Sequence, residues 1–380
     1  MRISSSGIRV ALVHDFLVQY GGAERVLEVF HEMYPDAPVY TLIYEPSKMP
    51  EEYQSWDIRT PRILRFPGLW RFYKALFPVY PLVIGRMKAQ GFDLVLSSSY
   101  AYAHGIGKDP QAVHICYCHT PMRFAWFQQG VYRAKIPLPL RFLFDLFGKW
   151  LRNWDFKASQ QVDHYIANSG TVAQRIQQVY QKKASILCPP VSLKGDSSPT
   201  PSKDFFLIVA RLVYPYKRID IAIQAARING MRLRIIGEGS DRDFFEKGAG
   251  PNVEFMGKVS DEVLTQSYRE CRAVLMPWEE DFGIVPVEAN FYGKPVIGFR
   301  SGGVLDSQIE GVTAVLFDEL NVDSFLDALK RFELSRFDAA KILRNSERFK
   351  KDAFRAEMEE LIEIQLEGPS DKEMTAVASG

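Results

Sequence analysis

Short apolar runs alternate with amphipathic stretches along most of the chain. The first run, residues 9–14, is followed after two glycines by a stretch at 23–34 whose apolar residues recur at helical spacing. Further apolar runs predict strands at 93–99, 112–119, 164–168 and 185–189. Near-continuous apolar strands separated by helices are typical of a parallel sheet that is covered on both faces.

The alternation stops at residues 189–204, which are crowded with Pro, Ser and charged residues, and we interpret this segment as a linker. A second series then predicts strands at 205–210, 232–237, 252–257, 273–277, 295–299 and 314–318, with helices at 217–228 and 260–272. The sequence therefore predicts two doubly wound α/β domains in tandem, with ligand sites at the carboxyl ends of the strands and in the cleft between the domains.

The predicted boundaries place an N-terminal Rossmann-like domain at 1–190 and a C-terminal Rossmann-like domain at 204–345. Residues 346–380 form the remaining segment, with an amphipathic helix at 354–367 and a flexible tail after it. A length of 380 residues agrees with two domains, because single hydrophobic cores usually stop growing below that size.

Charge and cysteine content narrow the function classes. A formal net charge of +1 gives no electrostatic reason to expect nucleic acid as a partner. The four cysteines are scattered and lack zinc-site spacing, so we expect reduced thiols in a cytosolic protein. We expect neither a signal sequence nor a membrane span, because no apolar run approaches about 18 residues.

Polar residues and glycines stand where predicted strands of the first domain lead into helices. Gly21 and Gly22 precede the first helix, where bare backbone N–H groups can meet a phosphate, although such glycines more often form only a turn. His119 follows a strand and precedes Pro121, so its ring is expected to face the cleft; a purely structural histidine is the alternative.

Two cations follow the first predicted strand of the second domain. Arg211 offers a bidentate guanidinium and Lys217 a mobile point charge, a combination that suits a diphosphate. Solvated surface charge is the alternative, but it explains poorly why both residues lie at a strand end.

The segment EEDFGIVPVEAN, residues 279–290, sets Glu280 and Glu288 eight positions apart around a Gly and a Pro. An ordinary amphipathic helix does not carry a Gly and a Pro in its interior. The segment follows a predicted strand and leads into a helix that begins near Val285. Its two carboxylates are thus held close to exposed backbone.

Taken together, these motifs resemble the retaining glycosyltransferases of family 4, which have the two-domain GT-B fold with an interdomain cleft. The resemblance covers residues 9–330 and rests on four motifs in the correct order: Gly-Gly-Ala-Glu-Arg, a His after a mid-domain strand, an Arg and a Lys after the first strand of the second domain, and Glu-x7-Glu. The segments YCHTPMRFAW and EEDFGIVPVEAN are most similar to the bacterial branch that adds mannose, or a similar hexose, to lipid-linked polysaccharide precursors.

The resemblance implies a role for each of the polar side chains. Glu288 is expected to accept hydrogen bonds from the ribose hydroxyls of a nucleotide sugar, and Glu280 to face hydroxyls of the transferred hexose. Arg211 and Lys217 are expected to neutralise the diphosphate leaving group. His119 is expected beside the donor hexose.

The resemblance also implies a set of contacts made by backbone groups. Glycines before the first helix would close on the diphosphate, a loop before the helix near Val285 would donate N–H groups to sugar and phosphate oxygens, and two turns would form the wall around the base. These residues are Gly21, Gly22, Gly237, Lys258, Val259, Asp281, Phe282, Gly283 and Ile284.

The chain departs from the family pattern in two places. The spacing from Arg211 to Lys217 is one residue longer than usual, as though Tyr214 were inserted, and this leaves Arg218 as a local rival for the phosphate. Asp281 stands where many relatives have Gly, which is expected to narrow the hexose pocket.

Residues 56–88 combine seven Lys or Arg with one Asp and are rich in aromatic side chains. This mixture suits the headgroup region of an anionic membrane, where polyprenyl-linked acceptors lie. A basic surface over a local core explains the composition equally well.

We therefore expect a retaining hexosyltransferase that moves mannose from GDP-mannose to a saccharide or polyprenyl-diphosphate-linked acceptor in polysaccharide biosynthesis. The enzyme is expected to be peripheral on the cytoplasmic face of the membrane and to need neither metal nor cofactor. Three alternatives stay open: a UDP-hexose-dependent transferase of the same family, a sugar-nucleotide epimerase of the same architecture, and a non-catalytic sugar-nucleotide-binding protein.

Overall fold

The computed structural model describes residues 7–66, 68–134, 136–192, 195, 197, 198 and 200–367. The chain divides into two compact units, which we call the N-terminal unit (Met1–Pro189 with Arg355–Gly380) and the C-terminal unit (Pro190–Phe354). The tail predicted at 368–380 and parts of the predicted linker lie outside the described residues.

The N-terminal unit is built on a seven-stranded parallel sheet in the order β3-β2-β1-β5-β7-β8-β9. A separate two-stranded sheet pairs β4 with β6. The strands are β1 Val10–Leu17, β2 Val39–Tyr44, β3 Ile58–Arg59, β4 Lys88–Ala89, β5 Leu94–Ser99, β6 Gly107–Lys108, β7 Val113–Cys118, β8 His164–Ala167 and β9 Ala184–Ile186.

The C-terminal unit has a six-stranded parallel sheet in the order β12-β11-β10-β13-β14-β15. Its strands are β10 Phe206–Val209, β11 Leu233–Ile236, β12 Val253–Gly257, β13 Val274–Met276, β14 Val296–Phe299 and β15 Ala314–Phe317. In each sheet the strand order reverses beside the first strand, between β1 and β5 and between β10 and β13. Ligands of open α/β sheets bind at such a switch point, outside the carboxyl ends of the strands.

Helices connect the strands of both sheets. The N-terminal unit contains α1 Gly22–Met33, α2 Tyr80–Ile84, α3 Arg123–Trp126, α4 Gln129–Ala134, α5 Arg141–Ser159 and α6 Gly170–Tyr180. The C-terminal unit contains α7 Ile219–Asn229, α8 Arg242–Gly248, α9 Asp261–Glu270, α10 Ile284–Phe291, α11 Val304–Ser307, α12 Val322–Leu334 and α13 Ala339–Ser346. The last helix, α14 Lys351–Glu367, begins in the C-terminal unit and ends in the N-terminal unit.

Local sequence accounts for where several helices begin. Ser169, Ser260 and Asn321 precede α6, α9 and α12, and the side chain of each accepts a hydrogen bond from a backbone N–H of the first turn. Such caps satisfy donors that have no partner inside the helix. Apolar residues at helical spacing then bury one face, as Val26, Leu27 and Phe30 do in α1.

The predicted fold class is confirmed, and all eleven predicted strands are present within a few residues of their predicted ends. The sequence analysis missed β2, which pairs with β1 along its length. Its signal was a β-branched and aromatic run, VYTLIY, bounded by Pro38 and Pro46. Among the described residues, no helix has the length and apolarity needed to cross a membrane.

Candidate functional site

A cavity of about 410 Å³ opens in the C-terminal unit at the switch point between β10 and β13. The loops that follow these two strands and the start of α10 form its walls. It is lined by Val209, Ala210, Arg211, Val213, Tyr216, Lys217, Met276, Trp278, Glu280, Gly283, Ile284 and Val285. The structure therefore brings five of the predicted site residues, Arg211, Lys217, Glu280, Gly283 and Ile284, into one cavity.

The loop after β10 carries both predicted cations. Arg211 is exposed, whereas Lys217 is buried. The backbone N–H of Lys217 donates to the carbonyl oxygen of Val213 at 2.7 Å, which closes a turn over the residues between them. Arg218, the rival cation, binds Asp220 with an Nη2 to Oδ2 distance of 3.0 Å. Of the two neighbouring cations, Lys217 rather than Arg218 thus lines the cavity, despite the longer spacing.

Lys217 and Glu280 form an ion pair inside the cavity, in which the ammonium group donates to Oε1 of the carboxylate. Only 9% of the lysine side chain and 24% of the glutamate side chain are exposed. The ammonium group also lies 4.7 Å from the ring centroid of Trp278 and 5.1 Å from that of Tyr216. The indole N–H of Trp278 donates to Glu280 Oε1 at 3.1 Å. These contacts hold both charged groups in place before any ligand arrives.

The loop from Glu280 to Gly283 is shaped by two glycines. Gly283 has a φ of +80°, which side-chain-bearing residues rarely adopt, and it precedes the first residue of α10. Gly303 lies so close that an added Cβ would sit 2.2 Å from the Cα of Phe282. Its backbone N–H donates to the carbonyl oxygen of Glu280 at 2.9 Å.

The sequence analysis did not identify this supporting loop after β14. Ser301 contributes as well, because its hydroxyl donates to Glu279 Oε2 at 2.8 Å. The sequence feature that could have indicated this loop is the Ser-Gly-Gly run one residue after a predicted apolar strand. Asp281 and Phe282 lie in the supported loop, and the phenyl ring of Phe282 is buried rather than turned into the cavity.

Glu288 lies in the second turn of α10, and it is not among the residues that line the cavity. Its Oε2 accepts a hydrogen bond of 2.7 Å from the hydroxyl of Tyr268. Burial, together with the nearby Glu288 carboxylate, raises the pKa of Tyr268 well above its usual value, so the phenol stays protonated as a donor. The carboxylate therefore has a fixed orientation.

Gly237 follows β11 and touches the loop that carries Arg211. Its φ is +135°, and an added Cβ would lie 1.9 Å from the carbonyl oxygen of Ala210. Its N–H donates to the carbonyl oxygen of Gly257 at 2.9 Å, directly before the predicted base-contacting residues Lys258 and Val259. These predicted residues are gathered at the carboxyl edge of the sheet, beside the cavity.

The N-terminal unit carries a polar network at its own switch point. Nε2 of His119 lies 2.8 Å from the hydroxyl of Ser98, and this hydroxyl lies 3.2 Å from Nδ1 of His14. Nε2 of His14 lies 3.3 Å from Oε1 of Glu24. His119 therefore stands at the more exposed end of a chain of groups that is otherwise buried.

Burial and the nearby His14 lower the pKa of His119 to about 3. Its imidazole is neutral near pH 7 and can donate or accept a hydrogen bond without bringing a charge. The sequence analysis did not identify His14, Ser98 or Glu24 as its partners. The sequence signal was a polar residue at or near the end of two predicted strands, His14 in 9–14 and Ser98 in 93–99.

A buried carboxylate holds the loop after β5 beside this network. Asp15 accepts hydrogen bonds from four successive backbone N–H groups, those of Tyr100, Ala101, Tyr102 and Ala103. Hydrogen bonds to a carboxylate are stronger than neutral ones, so the loop is firmly placed. This residue was also missed by the sequence analysis.

Gly21 and Gly22 lie at the beginning of α1 as predicted. Gly21 precedes the helix and supplies no capping side chain, and Gly22 is exposed with open space where a Cβ would stand. The positive end of the α1 dipole is therefore accessible at this point. Within the described part of the chain, no group of three or more His, Cys, Asp or Glu side chains is placed to hold a metal ion.

The basic and aromatic segment 56–88 contributes most of its rings to the interior. Tyr80 is fully buried, and Trp70, Tyr73 and Phe77 pack against the core of the N-terminal unit. The local-core interpretation therefore accounts for these aromatic side chains. Phe66 and Phe72 remain exposed.

Two family models match consecutive halves of the chain. The model described as Glycosyltransferase Family 4 matches residues 20–194, and the model described as Glycosyl transferases group 1 matches residues 194–353. The D-inositol 3-phosphate glycosyltransferase of Mycolicibacterium smegmatis is 30% identical over 129 residues, which cover 31% of this chain and 30% of that protein. The chain thus aligns with only about a third of the length of its curated relatives.

Solved structures match nearly the whole chain. The lipopolysaccharide outer core galactosyltransferase WaaB superposes with a TM-score of 0.63 at 19% identity, covering 93% of this chain and 99% of that chain. Anabaena HepE in complex with UDP-glucose gives 0.62 at 16% identity, with the same coverage. At such low identity the likeness establishes the fold alone.

Proposed function

We infer that this chain, which belongs to the family 4 (group 1) glycosyltransferases with the GT-B fold, transfers a hexose from a nucleotide sugar to a hydroxyl-bearing acceptor. The observation that carries this inference is the Lys217–Glu280 pair beside Arg211 in one cavity at the switch point. A cation next to a carboxylate matches a ligand that joins a diphosphate to a polyhydroxylated sugar.

The diphosphate is assigned to the cationic side of this cavity. Lys217 and Arg211 balance its charge, and the backbone at Gly283 and the start of α10 adds the positive end of a helix dipole. When the diphosphate binds, it replaces Glu280 as the partner of Lys217. Glu280 then becomes free to accept hydrogen bonds from the hexose hydroxyls.

The ribose is assigned to Glu288, whose orientation is fixed by the Tyr268 hydroxyl. Gly237, Lys258 and Val259 lie along the same sheet edge and are assigned to the wall around the base. These assignments extend the nucleotide along the carboxyl ends of β10, β11 and β12, which is where open α/β sheets bind such ligands.

We propose that transfer retains the configuration at the anomeric carbon. The bond from that carbon to the diphosphate oxygen breaks, and a bond to the acceptor oxygen forms on the same face of the sugar. The acceptor proton passes to the departing diphosphate, so no pair of flanking carboxylates is needed. Lys217, Arg211 and the helix dipole stabilise the charge that develops on the leaving group, so we propose that the reaction needs no metal ion.

For the donor we propose GDP-mannose, because YCHTPMRFAW and EEDFGIVPVEAN resemble the mannose-adding branch of the family. For the acceptor we propose a saccharide linked to a polyprenyl diphosphate in polysaccharide biosynthesis, used at the cytoplasmic face of the membrane by a peripherally bound enzyme. A UDP-hexose is the second candidate donor, since the structural neighbour HepE was solved with UDP-glucose.

A panel of nucleotide sugars, each incubated with the purified protein and a membrane lipid extract, tests this proposal. We expect the hexose of GDP-mannose to appear in the lipid fraction, with the anomeric configuration of the donor by NMR and with undiminished yield in EDTA. Conversion of the donor into an isomer identifies an epimerase, and binding of donors without transfer identifies a sensor. Either result contradicts the proposed activity.

A further inference from the structure

Helix α5 of the N-terminal unit exposes a stripe of large apolar side chains. Phe142, Leu143, Leu146 and Trp150 have 73, 60, 55 and 39% of their surface exposed. Because successive helical residues are rotated by roughly 100°, these four side chains fall within an arc of about 100° on one side of the helix. Exposed apolar residues usually occur singly, and a contiguous stripe marks an interaction surface.

The folding of α5 does not explain this stripe. The helix packs against its own unit through a different face, which contains Leu151, Asp155 and Ala158. The turn before the helix adds two more exposed leucines, Leu138 and Leu140. The helix thus has one apolar face directed to the core and a second directed to solvent.

Positive charge is concentrated in the segments that surround the stripe. Residues 58–88 and 123–157 carry fourteen Lys or Arg against two Asp, whereas the rest of the chain has 33 Lys or Arg against 44 Asp or Glu. The two segments pack into the same core, where the ring centroids of Phe77 and Phe124 are 4.7 Å apart. Of the two acidic residues, Asp145 is paired with Arg133 and Asp155 is buried.

We propose that α5 docks on an anionic lipid bilayer, with its exposed stripe (Phe142, Leu143, Leu146 and Trp150) inserted at the level of the headgroups and the surrounding cations held against the lipid charge. A helix with an apolar face and basic surroundings lies in the plane of such an interface. Tryptophan suits this depth because it has an apolar body and a polar N–H. The inference rests on the proposed function, because docking on a membrane would bring the enzyme to a lipid-linked acceptor.

Helix α5 and the segment 56–88 differ in what they expose to solvent. The segment 56–88 carries cations, but most of its aromatic side chains are part of the core and are not available to insert into a bilayer. We therefore assign electrostatic attraction to both segments and insertion to α5. This division predicts different results for apolar and for charged substitutions.

Flotation of the purified full-length protein with lipid vesicles tests the proposal. We expect binding to vesicles of phosphatidylcholine mixed with phosphatidylglycerol, little binding to phosphatidylcholine alone, and weaker binding at high salt. The double variant Leu143→Glu/Leu146→Glu should bind the mixed vesicles roughly 100-fold more weakly, because it removes two leucines that the bilayer would bury. The matched control is Ile228→Glu/Leu334→Glu, which alters two apolar side chains of the C-terminal unit that are 67 and 87% exposed, and it should bind normally.

Insertion is measured separately with vesicles whose acyl chains carry bromine. Tryptophan fluorescence of the wild type should be quenched on binding. Trp150→Phe should still bind while losing most of the quenching, because the other tryptophans are not part of the stripe.

Three results would overturn the proposal: no binding to mixed vesicles, equal binding by Leu143→Glu/Leu146→Glu, or a dimer by light scattering that this variant disrupts while vesicle binding persists. The last result would assign the stripe to a second copy of the chain. Transfer to a short soluble acceptor is measured in parallel and should be normal in the double variant. Lack of transfer by the wild type would refute the proposed activity and leave the vesicle result standing.

Discussion

The N-terminal and C-terminal units share one plan but differ in the chemistry at their switch points. In the C-terminal unit, the ends of β10 and β13 lead to charged side chains, Lys217 with Glu280 and the exposed Arg211. In the N-terminal unit, His14 and Ser98 lie in the carboxyl halves of β1 and β5, and His119 follows β7. All six histidines of the chain belong to the N-terminal unit.

We infer from this difference that a few side chains adapt the same topology to different partners. Permanent cations suit a diphosphate, and two of them, Lys217 and Arg211, line the cavity at the switch point of the C-terminal unit. A neutral imidazole such as that of His119 suits a hydroxyl group, because it can donate or accept a hydrogen bond without bringing a charge. The comparison predicts that substitutions in the two units affect different steps.

The largest effect is expected from the cations of the C-terminal unit. Lys217→Ala or Arg211→Ala removes a charge-assisted contact to the leaving group, so turnover should fall by about 30- to 1000-fold while the fold persists. Steady-state transfer assays measure this change. Arg218→Ala is the matched control, because Arg218 lies beside Lys217 but is paired with Asp220, and it should change turnover only slightly. Near-normal transfer by both Lys217→Ala and Arg211→Ala would show that these two residues do not bind the diphosphate as proposed.

A glycine of the N-terminal unit is expected to have the next largest effect. Gly22→Ala meets open space and no positive φ, so its free energy of unfolding should be unchanged. If a phosphate approaches the start of α1 as predicted, the added methyl group displaces it and turnover should fall by about 10- to 100-fold. Urea unfolding and transfer rates, measured on the same preparation, separate stability from function. Full activity would reduce Gly22 to a simple turn residue.

The two glutamates of the C-terminal unit should differ in what they bind. Glu288→Ala should weaken binding of the free nucleoside diphosphate by about 1 to 3 kcal/mol, because ribose hydroxyls lose their acceptor. Glu280→Ala should not weaken this binding, since it frees Lys217, but it should depress turnover. Calorimetric titration with the nucleoside diphosphate and with the full donor measures the affinity of each variant for the two ligands. Equal losses of the bare diphosphate in both variants would make the segment a single nucleotide clamp.

The smallest effect concerns the stability of the N-terminal unit in acid. Burial, together with nearby His104 and Lys108, lowers the pKa of His114 to about 3 against the opposing effect of Asp163, and His119 is lowered to about 3 as well. The unfolded chain therefore binds these protons between about pH 6.5 and pH 3, whereas the folded chain does not. The contribution of these histidines to the free energy of unfolding is fully present above this window. It falls as the pH is lowered through the window, by about 1.4 kcal/mol per pH unit for each histidine.

His114→Asn should reduce this slope by the contribution of one proton. Urea unfolding between about pH 7 and pH 5.5, followed by a probe in the N-terminal unit, measures it. His31→Asn, which alters a partly buried histidine whose pKa burial lowers to a smaller extent, is the comparison variant and should reduce the slope less. An unchanged slope for His114→Asn would show that its imidazole is not held neutral.

Strand periodicity predicted most of the fold because apolar runs of parallel sheets are read directly from the chain. The same runs located Arg211, Lys217 and Glu280 at strand ends, where the cavity is found. Pairing between side chains was not predictable in this way. The sequence assigned Lys217 and Glu280 to different parts of a ligand, yet their contact depends on the turn closed by Val213 and on the loop held by Gly303.

Long-range burial likewise lay beyond the sequence. The sequence left open whether the aromatic residues of 56–88 face a membrane or form a local core, because their packing depends on α3 and α5, which follow much later in the chain. The exposed apolar face of α5 was not predictable either, because the sequence does not show whether a given apolar side chain is covered by another part of the chain. Knowledge of the tertiary packing was needed for both.

Calorimetric titration of GDP and UDP into the wild type, Lys217→Ala and His119→Ala tests the division between the units most directly. The account predicts that Lys217→Ala weakens nucleoside diphosphate binding by about 10- to 150-fold, the value of one charge-assisted contact. It predicts that His119→Ala binds the diphosphate as tightly as the wild type does. Normal binding by Lys217→Ala together with weakened binding by His119→Ala would contradict the account.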